Sequence, residues 1–257
     1  MIATISELTA LRARIGEWKR NGLRVGFVPT MGNLHGGHHS LIALARRHAD
    51  RVVASVFVNP TQFGPNEDFA RYPRTLEADL AMLEDAGCDL VFLPRPEEIY
   101  RDEYRYRVTE NALSLELEGA SRPGHFDGVL TVVLKLLLLV RPERAYFGEK
   151  DFQQLRLVEG LVDAFFLDTR IVRCPTVREA DGLAMSSRNR RLSPADRARA
   201  PALYRILEAS FAGRQSATDA ETALAREGFD VDYVADLDGR RLAAVRLGGV
   251  RLIDNVG

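Results

Sequence analysis

Apolar and polar residues along the first two-thirds of the chain follow two alternating patterns. Short β-branched apolar runs predict strands over 25–29, 52–58, 89–94, 145–148 and 169–174. Apolar residues at helical spacing predict helices over 6–22, 40–49, 75–86, 129–140 and 152–164. Strands that alternate with helices in this way are typical of a parallel α/β sheet flanked by helices. The segment 101–124 shows neither pattern, so we make no prediction for it.

The pattern changes near residue 175. The elements predicted beyond it are helices over 194–212 and 217–228, followed by strands over 231–237 and 243–253. We therefore predict a larger domain over 1–175 and a smaller C-terminal α+β domain over 176–257. The stretch 236–247 is short for its position between the last two strands, so the second domain is predicted to be abbreviated. Clefts between domains are a common location for ligand sites.

The composition is that of an ordinary globular protein, with 46% apolar residues, 28% charged residues and a formal net charge of −1. This charge balance gives no indication of nucleic acid or a membrane surface as a partner. The longest apolar run, 129–140, is interrupted by Lys135, whereas a membrane-spanning helix needs about 20 apolar residues. Cys88 and Cys174 belong to no C-x-x-C pair, and the first residues show no secretory leader. We therefore expect a cytoplasmic protein.

The segment 29–38, Pro-Thr-Met-Gly-Asn-Leu-His-Gly-Gly-His, follows the first predicted strand and leads into a helix. In an open parallel sheet, ligands bind beyond the carboxyl ends of the strands, and the N–H groups of a helix start favour anions. His35 and His38 are three residues apart and therefore share one face of this helix start. Two imidazoles there can hydrogen-bond phosphate oxygens, which predicts a phosphate site. A zinc pair is an alternative, but no third ligand is close in sequence.

Three further polar clusters lie where predicted strands end or in the loop between the domains. Gln62 follows the strand 52–58 in an Asn-Pro-Thr-Gln-Phe turn, and its amide can bind a carboxylate or a hydroxyl group. Lys150 and Asp151, at a later strand-to-helix junction, offer a cation for a phosphate and a helix cap. The Ser-Ser-Arg segment 186–188 supplies hydroxyls and a guanidinium that suit a triphosphate. Each cluster alone also fits a plain turn, cap or linker, but together they predict one ligand site.

These segments together resemble the pantothenate synthetase (pantoate–β-alanine ligase) family, which belongs to the nucleotidyltransferase-like Rossmann group with an H-x-G-H motif. The resemblance covers most of the first domain and the start of the second. The matching segments are Pro-Thr-Met-Gly-Asn-Leu-His at 29–35, Val-Asn-Pro-Thr-Gln-Phe-Gly at 58–64, Tyr-Pro-Arg-Thr at 72–75, Arg-Pro-Gly-His-Phe-Asp-Gly-Val at 122–129, Phe-Gly-Glu-Lys-Asp at 147–151, Met-Ser-Ser-Arg-Asn at 185–189 and Arg-Leu-Ile-Asp-Asn at 251–255. The H-x-G-H motif alone is shared with other nucleotidyltransferases, whereas the whole set is much more specific.

The resemblance implies a Rossmann-like fold and an enzyme that condenses pantoate with β-alanine. The implied reaction uses ATP and Mg²⁺, passes through a pantoyl adenylate, and gives pantothenate, AMP and pyrophosphate. A homodimer formed through the first domain and a second domain that acts as a lid are also implied. The implied catalytic residues are His35, His38, Lys150 and Arg188, and Asp79 is implied to help hold the magnesium. The implied ATP-binding residues are Pro29, Thr30, Met31, His38, Gly148, Lys150, Asp151, Val177, Met185, Ser186, Ser187 and Arg188, and the implied pantoate-binding residues are Met31, Gln62, Gln154, Arg122 and His125.

Three other functions remain open at this point. A nucleotidyltransferase that joins a nucleotide to a phosphorylated alcohol uses the same H-x-G-H chemistry, although the amides of Gln62 and Gln154 favour an unphosphorylated hydroxy acid. A non-catalytic nucleotide-binding protein would fit a shortened second domain. A metal hydrolase would require His35, His38 and His125 to act together as ligands.

Overall fold

The computed structural model describes residues 2–64 and 69–257. The chain folds into two compact units. Unit 1 comprises Met1–Gly148 and Gln153–Cys174, and unit 2 comprises Glu149–Phe152 and Pro175–Gly257. The short turn at 149–152 therefore groups with the C-terminal part of the chain, while the predicted division at 175/176 stays a prediction. Within the described ranges, no helix is long and apolar enough to cross a membrane.

Unit 1 is built on a six-stranded parallel sheet, which confirms the predicted α/β class. Its strands are β1 (Ala3–Ile5), β2 (Val25–Thr30), β3 (Arg51–Val56), β4 (Leu90–Phe92), β5 (Arg144–Gly148) and β6 (Arg170–Cys174). They lie side by side in the order β1-β4-β3-β2-β5-β6, and all neighbours are parallel. The sequence pattern did not predict β1, because three residues are too few to show a period.

Helices cover the sheet of unit 1. They are α1 (Leu8–Arg20), α2 (Gly36–His48), α3 (Leu76–Asp85), α4 (Pro96–Ile99), α5 (Glu118–Ser121), α6 (His125–Val140) and α7 (Phe152–Ala164). Two helix starts were predicted four residues too late, since α2 begins at Gly36 rather than 40 and α6 at His125 rather than 129. A third was predicted too early, because Glu7 rather than Ser6 occupies the N-cap of α1. Because α2 starts at Gly36, His38 lies within its first turn.

The strand β2 lies at the point where the strand order reverses. From β2 the chain proceeds to β3 and β4 on one side, and later to β5 and β6 on the other. β2 pairs with β3 up to Thr30, but its pairing with β5 includes only Gly26 and Phe27. Pro29, which has no N–H, lies in the stretch that is not paired with β5. Open α/β sheets bind ligands beyond the carboxyl ends of the strands at such a reversal, so the loop after β2 is well placed for a ligand site.

Unit 2 packs three helices against a three-stranded antiparallel sheet. Its elements are α8 (Pro194–Arg199), α9 (Ala202–Ala212), α10 (Ala217–Arg226), β7 (Asp230–Leu237), β8 (Arg240–Leu247) and β9 (Val250–Val256). Its core includes Leu203, Leu207, Leu224 and Val245. The prediction of a single helix over 194–212 is wrong, because the helix is interrupted at Pro201, whose nitrogen carries no hydrogen to donate to the preceding turn.

Two tight hairpins connect the strands of unit 2. Asp238 and Gly239 join β7 to β8 with φ of 48° and 78°, and Gly248 and Gly249 join β8 to β9 with φ of 56° and 75°. Positive φ at both central residues is the signature of the turn that matches strand twist, and it favours Asp-Gly and Gly-Gly. The predicted strand 243–253 is therefore wrong, since the Gly-Gly pair divides it. The stretch 236–247 is short because the first hairpin joins β7 to β8 through only two residues.

Candidate active site

Two imidazoles form a reciprocal cap at the start of α2. His35 is the N-cap residue and has extended backbone, and its Nδ1 accepts a hydrogen bond from the N–H of Gly37 at 3.2 Å. The Nδ1 of His38 accepts a hydrogen bond from the N–H of His35 at 3.3 Å. The two ring centroids are 4.2 Å apart. The structure therefore brings both predicted histidines together at the helix start that follows β2.

These hydrogen bonds determine which nitrogen of each ring can donate. A ring nitrogen that accepts a hydrogen bond carries no proton, so in the neutral form of His35 and of His38 the proton is on Nε2. Each ring therefore offers an Nε2–H donor at a helix N-terminus, where the helix dipole favours negative charge. Such a pair is suited to hydrogen-bond the oxygens of a phosphate group.

Asp79 connects α3 to the turn that precedes His35. Its side chain is buried, with 3% exposure. One carboxylate oxygen accepts from the N–H of Asn33 at 2.9 Å, and the other accepts from the N–H of Leu34 at 2.8 Å and the hydroxyl of Thr75 at 3.1 Å. The structure thus places this predicted magnesium contact against the backbone of the H-x-G-H turn.

Thr30 is the last residue of β2, and its side chain is hydrogen-bonded to the same turn. Its hydroxyl donates to the carbonyl of Ser55 on β3 at 2.7 Å and accepts from the N–H of Gly32 at 3.3 Å. These bonds use the side chain of Thr30 within the fold. Any contact that Thr30 or Pro29 makes with a nucleotide would therefore come mainly from the backbone.

Four of the five residues assigned to pantoate contact one another in unit 1. Gln62 is 8% exposed, and its amide accepts from Asn59 at 3.0 Å and reaches the Sδ of Met31 at 3.1 Å. The Nδ1 of His125 lies 2.9 Å from the backbone carbonyl of Gln62 and must donate to it. Its Nε2 therefore accepts from the guanidinium of Arg122 at 3.1 Å. Arg122 and His125 thus hold the backbone of Gln62, and Gln62 contacts Met31.

The fifth predicted residue, Gln154, lies on the first turn of α7 next to Gln153, and the two side chains have different surroundings. Gln153 is buried, and its amide bonds three backbone groups of the segment 113–118. Gln154 is half-buried and makes no side-chain hydrogen bond within the part of the chain that the structure describes. At the end of β5, a Cβ placed on Gly148 would meet no atom within 4 Å, so the space above this residue is open. Gly148 therefore has room for a ligand, and among the described residues the Gln154 amide has no hydrogen-bond partner that would compete with one.

Lys150 lies in unit 2, in a short turn held by the last strand. The turn is a single 3₁₀ turn, Glu149–Asp151. The amide of Asn255 on β9 donates to the carbonyls of Glu149 and Lys150 at 2.8 and 3.0 Å. Arg240 on β8 pairs with the Glu149 carboxylate at 3.0 Å and donates to the Asn255 amide oxygen at 2.9 Å. Two strands of unit 2 therefore position the backbone from which Lys150 and the exposed Asp151 project.

The loop that carries the remaining ATP residues is also ordered within unit 2. The N–H of Met185 donates to the carbonyl of Val177 at 2.9 Å, which places these two residues side by side. Ser186 caps a 3₁₀ turn, Ser187–Arg191, and its hydroxyl accepts from the N–H of Arg188 at 3.2 Å. The structure therefore brings Val177, Met185 and the Ser-Ser-Arg segment into one connected loop.

The prediction missed Asp254 and Asn255 as residues that support the site. Asp254 is buried and binds the guanidinium of Arg178 through two hydrogen bonds of 2.7 and 3.0 Å. Arg178 lies next to Val177, and its guanidinium stacks 3.7 Å above the ring of Tyr204. The signal in the sequence is the adjacent polar pair Asp-Asn, which stands between Ile253 and Val256 in the last strand. Its partners lie 76 and 105 positions away in the chain, so spacing alone could not identify them.

The side chains present do not fit a resident metal site. Both carboxylate oxygens of Asp79 already accept backbone hydrogen bonds, and both ring nitrogens of His125 are engaged by Gln62 and Arg122. Within residues 2–64 and 69–257, no three His, Cys, Asp or Glu side chains are grouped as metal ligands. The set His35, His38 and His125 therefore does not have the donors that a zinc hydrolase would need.

A parallel sheet with a histidine-capped helix start at its strand reversal defines a nucleotide-binding α/β enzyme of the H-x-G-H class. The family model described as "Pantoate-beta-alanine ligase" matches residues 3–257. The chain therefore belongs to the pantoate–β-alanine ligase family.

Individual relatives agree with this assignment. The chain is 55% identical to a pantothenate synthetase of Bdellovibrio bacteriovorus over 240 residues, which cover 93% of this chain and 94% of the relative. It is 53% identical to a pantothenate synthetase of Stenotrophomonas maltophilia, and the match covers 100% of this chain and 99% of the relative. These matches confirm the predicted family and the predicted ligase activity, in which pantoate and β-alanine are condensed with ATP.

Solved structures are similar over nearly the whole chain. A pantothenate synthetase from Thermus thermophilus has a TM-score of 0.92 and 48% identity, with 99% of both chains covered. A pantoate–β-alanine ligase from Francisella tularensis, complexed with β-γ ATP and β-alanine, has a TM-score of 0.90 and 39% identity, with 100% of this chain and 97% of that chain covered. These structures confirm the predicted fold.

Proposed function

We propose that the ligase reaction begins with adenylation at the start of α2, stabilised by His35, His38, Lys150 and Arg188. The pantoate carboxylate attacks the α-phosphorus of ATP and displaces pyrophosphate, which gives pantoyl adenylate. Catalysis of such a transfer is mostly positioning and electrostatic stabilisation, so it needs aligned donors and cations. The reciprocal cap, which sets both Nε2–H donors at one helix N-terminus, is the observation that carries this proposal.

Two cations of unit 2 supply positive charge for the triphosphate. Among the described residues, neither the Lys150 ammonium nor the Arg188 guanidinium has a carboxylate partner, so no protein carboxylate competes with a phosphate for either cation. The hydroxyls of Ser186 and Ser187 adjoin Arg188, and the paired backbone of Val177 and Met185 would face the adenine. We assign Gly148 and Asp151 to the same nucleotide site.

Pantoate would be held by the amides of Gln62 and Gln154, with Met31 packing against it. Among the described residues, the Gln62 Nε2 reaches only the thioether of Met31, which is a weak acceptor, so this N–H₂ group gains by donating to a carboxylate or hydroxyl oxygen. Arg122 and His125 act through the Gln62 backbone, which they hold in place. In the second step the amine of β-alanine attacks the acyl carbonyl and AMP leaves, which forms the amide.

Magnesium is proposed to enter with ATP, bound to its phosphate oxygens, as part of the substrate. Mg²⁺ is commonly held by one or two carboxylates together with substrate phosphates and waters. Since both oxygens of Asp79 already accept hydrogen bonds from the fold, we assign no protein ligand to this ion.

Pyrophosphate–ATP exchange tests the two-step mechanism. With MgATP, exchange is expected only when pantoate is present, and AMP release is expected only when pantoate and β-alanine are both present. Exchange without pantoate would contradict the proposed adenylate. Pantoate-dependent exchange without AMP release would show that this chain carries out the first step alone.

We further propose a cytoplasmic homodimer in which residues 1–175 bind nucleotide and pantoate and residues 176–257 form the lid. Cys88 and Cys174 are buried cysteines that are not joined in a disulfide, which is consistent with a reducing compartment. In unit 1, β6 is an edge strand, and Phe166, shortly before it, is 92% exposed. Sedimentation equilibrium should give about twice the chain mass of 28.7 kDa, whereas a single chain mass would refute the dimer.

A further inference from the structure

The turn between β2 and α2 has the backbone geometry of an anion-binding concavity. Gly32 and Asn33 both have positive φ, 80° and 50°. The N–H groups of Asn33 and Leu34 converge on one carboxylate, and N–H groups that converge in this way form a concavity that attracts anions, as in phosphate-binding loops. The side chain of Asp79 lies in this concavity, because a Cβ on Gly32 would come 3.0 Å from its Oδ2.

The occupant of this concavity is part of the protein. The Asp79 carboxylate accepts the N–H groups of Asn33 and Leu34 at 2.9 and 2.8 Å, one on each oxygen, and it is 3% exposed. Thr75 supplies a third donor. A phosphate therefore cannot enter here and is left to the next donors along the chain, which are the Nε2–H groups of His35 and His38.

We propose that Asp79 is a positioning residue for the adenylation step. It fills the backbone concavity in place of a substrate phosphate, and so fixes the N–H groups of Asn33 and Leu34, the extended N-cap at His35 and the reciprocal imidazole cap. It acts through these groups and contacts neither the substrate nor Mg²⁺. A Cβ at Gly32 would compress this contact, which accounts for glycine at a position with φ of 80°.

The substitution Asp79→Asn tests the proposal with almost no change in shape. An amide has only one acceptor oxygen, so its NH₂ group would face either the N–H of Asn33 or that of Leu34 and disturb the turn. We expect kcat for pantoate-dependent exchange to fall about a hundredfold, the scale of a small displacement of catalytic groups. The KM for ATP and the Mg²⁺ concentration for half-activation should stay unchanged. The histidine side-chain ¹⁵N spectrum should lose the signals of two Nε2–H tautomers with bonded Nδ1.

Glu77→Gln is the matched control, since it removes the same charge from the exposed side of the same helical turn. It should leave exchange unchanged. Should Asp79→Asn fail to fold, Gly32→Ala disturbs the same contact from the other side and should show the same loss of kcat at unchanged Mg²⁺ half-activation.

Three results would overturn the proposal. A higher Mg²⁺ requirement in Asp79→Asn, with the rate restored by excess Mg²⁺, would show a metal ligand. A lowered melting temperature with wild-type kcat below the melting range would show a purely structural residue. An unchanged histidine spectrum would show that Asp79 does not fix the imidazole cap.

Discussion

At the scale of single residues, the chemistry of this site depends on which atom of a side chain is already engaged. His35 and His38 use Nδ1 for the helix cap, which leaves Nε2 as the donor of each ring. Gln153 and Gln154 are neighbours, but among the described residues only Gln153 uses its amide in hydrogen bonds within the fold. The sequence predicted His35 and His38 from residue type and position, and the family resemblance implied Gln154. It could not reveal the engaged atoms, because those follow from contacts formed on folding.

His35→Ala and Lys150→Ala test the assigned donors directly. Each should lower the rate of pantoate-dependent exchange about a hundredfold or more, the usual cost of losing one transition-state donor. His39→Ala and Lys19→Ala are the matched controls, because His39 lies on the same helix near Asp85 and Lys19 is paired with Glu143. These controls should retain the wild-type rate. A near-normal rate in His35→Ala or Lys150→Ala would remove that residue from the mechanism.

At the scale of elements, apolar periodicity predicted most strands and helices, and its errors have identifiable causes. The strand predicted over 243–253 contained a Gly-Gly turn, and the helix predicted over 194–212 contained Pro201. The segment 101–124 had no period because long-range bonds hold it, such as those from Gln153 to the carbonyls of Leu113 and Glu116. Such bonds join residues 40 and 37 positions apart and leave no local signal.

The strand β9 offers a test of support for a catalytic turn. Asn255→Ala removes both hydrogen bonds to the carbonyls of Glu149 and Lys150, so adenylation should slow about tenfold or more as the turn loses its fixed position. Asn255→Asp should be at least as harmful, since a carboxylate would face those carbonyls. Leu252→Ala removes a buried side chain of the same strand and leaves a cavity, so it should lower the melting temperature without changing kcat at about 25 °C. Equal kcat in all three variants would argue against a positioning role for Asn255.

At the scale of the whole molecule, burial of weak acids predicts a loss of stability in alkaline solution. Burial raises the pKa of the Cys88 thiol from 9.0 to about 12, and burial likewise raises the pKa of the Tyr100 hydroxyl from 10.0 to about 12. Above about pH 9 the unfolded chain therefore releases protons that the folded chain retains. The free energy of unfolding should fall as pH rises from about 9 to 12.

Cys88→Ala separates the thiol from other alkaline effects. Between about pH 9.5 and 11, urea unfolding of the wild type should lose up to about 1.4 kcal/mol per pH unit for each such group. The variant should show a slope that is shallower by about that amount, even if the small cavity lowers its stability at neutral pH. Val91→Ala is the control, because it opens a cavity in the same buried cluster and keeps the thiol. If the free energy of unfolding fell equally steeply with pH in the wild type and in Cys88→Ala, the Cys88 thiol would not be a cause of the alkaline loss of stability.

Because the turn 149–152 groups with unit 2, recombination between related genes can separate this turn from the residues that hold it. The backbone passes from one unit to the other three times, after Gly148, after Phe152 and after Cys174. A single crossover between two related genes at residue 175 would join the Lys150 turn of one parent to the Asn255 and Arg240 of the other. Parents that differ at these positions should therefore give poorly active hybrids, unless a second exchange carries the four-residue turn along with the C-terminal segment.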